Sequence, residues 1–192
     1  MTDSAGKLNV REWHPGALEL AIWNVTALAL FVFFLGIYSN ISASDSTLTI
    51  GLGDLVAALL AVNALMIAHE FVHGLVIQRY GGTPKYGLKM IARVVPVAWC
   101  TSPGTRFTRA QFLLVSLAPF VVISIAGAVI TGAAPGRSAF PLAFAVHAAG
   151  CIGDLWVVGV AFRQPAGTMF EDRKSGLRFH PGVASANETG TA

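Results

Sequence analysis

Four stretches of this chain are apolar for more than twenty residues each, at about residues 17–39, 54–79, 107–131 and 139–162. Each can cross a hydrocarbon core of about 30 Å as a helix. In lipid the backbone N–H and C=O groups must be paired inside the segment, so such stretches are restricted to helices or closed barrels. The segments are far too long for barrel strands, which predicts an all-α membrane protein with four transmembrane helices. Composition agrees, with 54% hydrophobic and 12% charged residues and a mean hydropathy of +0.63, against about a quarter charged in a soluble domain. The 192 residues suit one transmembrane domain over 1–163, followed by a polar tail, 164–192. The tail closes on ASANETGTA, a stretch expected to be disordered, with no core of its own.

The formal charge of +3 does not point to nucleic acid, because the basic residues flank the apolar spans. Two precede the first span, none lies in the first connection, six fall in the basic stretch 79–110, one in the third connection and four after the last span. This alternation places both termini and the second connection in the cytoplasm by the positive-inside rule. Trp13, just ahead of the first span, suits an interface anchor. Glu19 and Asn24 within it suit interface or interhelical contacts. Asp54 suits the N-cap of the second helix. Cys100 and Cys151 are too few for a disulfide framework and are expected as free thiols.

Residues 83–103 are rich in β-branched and aromatic residues but too interrupted by Gly and Pro to span a bilayer. They predict a short interfacial β-hairpin or a re-entrant segment between helices 2 and 3. In the third span, Pro119 in the run SLAPF can kink a helix or open its backbone beside a site.

The second span contains His69-Glu70-Phe71-Val72-His73-Gly74. On a helix His69 and His73 lie about 40° apart around the axis, so both imidazoles face one way and can share a metal. Glu70 can reach a water on that metal. Two ligands and a general base are the zincin arrangement. Asn63, seven residues before Glu70, shares its face and could orient Glu70 or a substrate carbonyl. The remaining ionisable groups deep in an apolar span are His147 and Asp154, seven residues apart on one face of the fourth helix. Intramembrane ionisable groups are costly and point to function.

Residues that share a metal must lie at one depth. His69 is ten residues before Arg79 and Asp154 nine before Arg163, which puts both about 13–15 Å below the cytoplasmic ends of parallel helices. Asp154 is thereby the favoured third ligand. His147, about two turns deeper, is the poorer match for a ligand and suits a contact to a ligand or an oxyanion instead.

These residues, HEFVHG in an early apolar helix, a mid-chain LAPF helix and Gly153-Asp154 in a later one, resemble the small bacterial and archaeal membrane proteins described as putative zincin peptidases, relatives of the site-2 proteases. The resemblance spans residues 17–163. It implies that His69 and His73 bind Zn2+, that Asp154 supplies the carboxylate ligand, that Glu70 is the catalytic base, and that the protein sits in a prokaryotic cell membrane. The chain departs from site-2 proteases in reading Gly153-Asp154-Leu155, where those enzymes have Leu-Asp-Gly, and in having neither their upstream Asn-Pro pair nor room for a PDZ-like domain.

The expected activity is a zinc-dependent intramembrane or membrane-proximal peptidase acting on a membrane protein or peptide. Residues 85–100 could offer a strand edge to an extended substrate. The rival expectation is a non-proteolytic membrane protein whose metal is structural or transported. A closed structural site would draw its four ligands from His69, His73, Asp154 and His147.

Overall fold

The computed structural model describes residues 11–42, 50–91, 95–173 and 176–181. Among the described residues, four helical stretches are long and apolar enough to cross a bilayer, and the protein is a multi-pass membrane protein. They are α1 (Ala17–Ser42), α2 (Leu52–Arg79), α3 (Arg109–Ala133) and the pair α4 (Ala139–Gly150) and α5 (Ile152–Phe162). Their outward side chains are apolar, among them Leu18, Val25, Leu28, Leu60 and Ile125, as lipid-facing helices require. Several polar side chains in α1 and α2 bond within their own helix. Asn24 donates to Leu20 O at 2.7 Å, Thr26 to Ile22 O at 2.9 Å and Asn63 to Leu59 O at 2.8 Å. Asn24 is therefore an intrahelical donor; a carbonyl four residues back needs no partner helix.

Local chemistry fixes the helix starts. Helix α2 begins two residues before Asp54, with Gly51 as the cap: Leu55 N–H donates to Gly51 O at 3.2 Å, and Gly51 N–H donates to Asp54 Oδ2 at 3.0 Å. Asp54 thus supplies the reach-back half of a capping box instead of the N-cap itself. At α3 the box is complete. Thr108 N–H donates to Gln111 Oε1 at 2.9 Å and Gln111 N–H to Thr108 Oγ1 at 3.3 Å.

The chain forms two compact units, with α2, α3 and α5 each contributing to both. One comprises Ala17–Val72 and Ala118–Asp154. Its core joins Tyr38, Ile123, Phe144 and Ala145, with Phe34 and Leu65 packed on them. Tyr38 is 1% exposed and donates its hydroxyl to Ser124 O at 3.1 Å. The Phe144 ring lies over Gly127 so closely that a Cβ there would stand 2.7 Å from it. Proline at Pro141 falls in the first turn of α4, where its missing N–H has no helical partner to lose.

The other unit comprises the described residues of Met1–Gly16, His73–Leu117 and Leu155–Ala192. Between α2 and α3, strands β2 (Lys85–Ile91) and β3 (Val95–Thr101) pair antiparallel, Gly87 opposite Trp99. Residues 83–103 therefore hold a hairpin, not a re-entrant segment. After α5 the polar tail carries two strands that the sequence reading did not mark. Met169–Arg173 (β4) and Gly176–His180 (β5) pair with each other, and Arg11–Trp13 (β1) pairs with β5 to complete a three-stranded sheet. ASANETGTA lies outside the described residues. The alternation of Phe170, Leu177 and Phe179 with polar residues buries one face of this sheet on Ile77, Phe107 and Phe112, and Trp13 packs there too. Trp13 therefore serves a core. Phe112 and Phe170 stack at 5.1 Å. The buried Glu171 carboxylate is fully answered: Gly104 N–H at 3.1 Å, Arg173 Nε at 2.9 Å and His180 Nε2 at 2.8 Å. Burial pushes its pKa up, but these donors outweigh burial and hold it below the usual carboxylate value.

Candidate metal centre

The site is built on α2, whose 28 residues run unbroken through HEFVHG. His69 and His73 fall one turn apart on this helix, with Glu70 half-buried between them. His73 is 8% exposed, and its Nδ1 lies 2.8 Å from the Val115 carbonyl. A carbonyl only accepts, so Nδ1 carries the proton and Nε2 keeps its lone pair for a metal. Pro119 explains why that carbonyl is free. It stands inside α3, four residues after Val115, where an ordinary residue would donate its N–H to Val115 O. The proline has no N–H, and the His73 imidazole takes the vacant acceptor.

His69 is held at both edges of its ring. Its Nε2 lies 3.1 Å from Asp154 Oδ2, and its Nδ1 lies 3.2 Å from His147 Nε2. His69, His73 and Asp154 each offer a ligand atom within 4.8 Å of the others. Two imidazoles and a carboxylate form a potential metal-binding cluster, a metalloenzyme-like arrangement.

The fourth span departs from one straight helix. It breaks at Cys151 (φ −71°, ψ 3°), whose N–H donates to His147 O at 3.2 Å. Gly150 and Gly153 flank the break and lower the cost of leaving the helix. His147 and Asp154, on either side of the break, meet opposite ring nitrogens of the same imidazole, Nδ1 and Nε2 of His69. His147, 7% exposed, touches His69 directly, the contact to a candidate ligand that the sequence suggested for it. Cys151 was legible only as a free thiol, and it is free and buried. Its Sγ also lies 3.7 Å from His69 Nδ1. The spacing His147-x3-Cys151-x2-Asp154, three donors along one turn each, is the signal that could have found it. Asn63 is exposed and bonded within α2, so the structure does not bring it to this cluster. Gly74, which closes the motif, leaves no Cβ where the Tyr86 hydroxyl of β2 approaches α2.

A family model described as "Putative zincin peptidase" matches residues 62–169, more than half of the chain. The chain belongs to that family. The match runs from the residue before Asn63 to the first residue of β4, and so takes in His69, Glu70, His73, His147, Cys151 and Asp154. Helix α1 lies outside it. No curated protein and no solved structure matches the chain.

Proposed function

We propose that the protein is a zinc-dependent peptidase cleaving membrane proteins or peptides within or close to the bilayer. The observation that carries this is the pairing of His69 Nε2 with Asp154 Oδ2 at 3.1 Å, beside a His73 whose Nδ1 is bonded to the Val115 carbonyl at 2.8 Å, which puts the ring's lone pair on Nε2. Three donors of the types zinc prefers leave a fourth position for water or substrate. His69, His73 and Asp154 would hold the ion. When bound, zinc supplies Lewis acidity that polarises a carbonyl and acidifies water.

The chain's own groups have separate tasks. With its Nε2 turned to the ion, His69 carries its proton on Nδ1 and donates it to His147 Nε2, which fixes the ring's orientation. The Glu70 carboxylate accepts a proton from the attacking water and returns it to the leaving amine nitrogen. The β2–β3 hairpin exposes Tyr86, Leu88 and Met90 on one side. Its edge would take an extended substrate as an added strand, with main-chain hydrogen bonds giving affinity. The charge alternation supports an orientation with both termini in the cytoplasm.

The test is a trap. The Glu70→Gln form, purified from its own host, should hold a membrane protein or peptide that the wild type cleaves. Recovery of no bound protein, together with no cleavage of any membrane protein by the wild type, would sink the reading.

A further inference from the structure

His69 faces two sets of possible metal ligands, one on each ring nitrogen, and the peptidase reading uses only the Nε2 set to hold metal. On the Nδ1 edge lie His147 Nε2 at 3.2 Å and Cys151 Sγ at 3.7 Å, and these two are 3.8 Å apart. Zn–N bonds of about 2.05 Å and Zn–S bonds of about 2.3 Å, set at tetrahedral angles, give edges of about 3.35 Å for N···N and about 3.55 Å for N···S. Each of the three separations falls within about 0.3 Å of the corresponding edge. His147 and Cys151 are buried, at 7% and 0% exposure, so thiolate and imidazole would meet the ion with little competition from water.

We propose that His69 Nδ1, His147 Nε2 and the Cys151 thiolate form a second metal position, suited to zinc or a softer thiophilic ion. It is exclusive of the position on the Nε2 edge. Exclusivity follows from the imidazole: a neutral ring has one lone pair, so a metal on Nδ1 places the proton on Nε2, where it donates to Asp154 Oδ2 instead of binding metal. On loading, the Cys151 thiol, which now donates to His147 O at 3.3 Å, loses its proton to solvent and becomes the anionic ligand. Metal held on this edge deprives the peptidase position of His69, so the pair of positions forms an on/off choice set by which ion is present. The second position depends on the peptidase reading only for what it competes with.

Cobalt(II) titration of the metal-free, full-length protein in detergent tests the geometry through its near-ultraviolet thiolate-to-cobalt charge-transfer band. Asp154→Ala, which removes the carboxylate from the Nε2 edge, should still bind one cobalt per chain and should show the band strongly. His73→Ala should do the same, which covers the case where one variant fails to fold. Adding Cys151→Ser to either should abolish the band and weaken binding about tenfold or more. The wild type should bind no more than one cobalt per chain. Cobalt bound without the band in folded Asp154→Ala and His73→Ala, or two ions in the wild type, would overturn the proposal. If Glu70→Gln cleaves as the wild type does while the band behaves as expected, the peptidase reading fails and this position stands.

Discussion

Replacing Pro119 by Ala should separate metal affinity from stability, because the two respond with opposite sign. The substitution returns an N–H four residues after Val115, and that N–H competes with His73 Nδ1–H for the carbonyl now bonded at 2.8 Å. A carbonyl has two lone pairs and can share them, so the His73 bond weakens without vanishing. Loss of a partner to a metal-binding imidazole costs 10–100-fold in affinity. The lower end, about tenfold or about 1.4 kcal/mol, is expected. Stability moves the other way: an interior proline costs about 3 kcal/mol of helix propensity, while truncating its buried ring loses about two methylenes, roughly 1.6 kcal/mol. The variant should therefore be as stable as the wild type or about 1 kcal/mol more so. Chelator competition gives the zinc affinity, and thermal unfolding of the metal-free protein gives the stability. Pro119→Gly returns the same N–H and should show the same loss of affinity. Zinc affinity within about twofold of wild type in both variants would refute the role assigned to this proline.

Other consequences are more local. Gly127→Ala should destabilise the protein by about 2 kcal/mol, since the Phe144 ring must shift to admit a methyl group; chemical denaturation in detergent would show it. Glu171→Gln should cost about 3 kcal/mol at neutral pH by leaving Arg173 and His180 without their carboxylate. Because the folded pKa of Glu171 is depressed, its contribution is present above the ordinary carboxylate pKa and is lost as pH falls through the lowered folded value. The acid limb of a stability–pH curve should accordingly flatten in the variant. Gly74→Ala should displace Tyr86 and lower cleavage while changing the melting temperature little, as the colliding atom is the end of a half-exposed side chain.

Much of the fold could be read from the chain because lipid leaves few alternatives. Apolar length alone marked the four spans to within a few residues, and the Gly- and Pro-punctuated β-branched stretch marked the hairpin. What escaped was cooperative in nature. Strands β1, β4 and β5 are short, and each becomes a strand only when Phe170, Leu177 and Phe179 find Ile77, Phe107 and Phe112, contacts made by distant parts of the chain. At the site, helical spacing put His69, Glu70 and His73 on one side, and depth matching named Asp154. The same arithmetic assumed one straight helix from 139 to 162. The helix in fact has a single-residue break at Cys151, yet His147 still makes the expected contact to His69; the thiol's approach to His69 had no signal in depth matching. Asn63 illustrates the converse: helical spacing groups it with Glu70, but a carbonyl one turn away satisfies its side chain.

The central claim is that Glu70 moves the protons of peptide hydrolysis at a metal held by His69, His73 and Asp154. Its most direct test measures zinc content and cleavage together, in vesicles, for wild type and Glu70→Gln acting on the protein captured by the trap. The account predicts equal zinc in both forms and a rate at least about 100-fold lower in the variant. Equal rates at equal zinc content would contradict it.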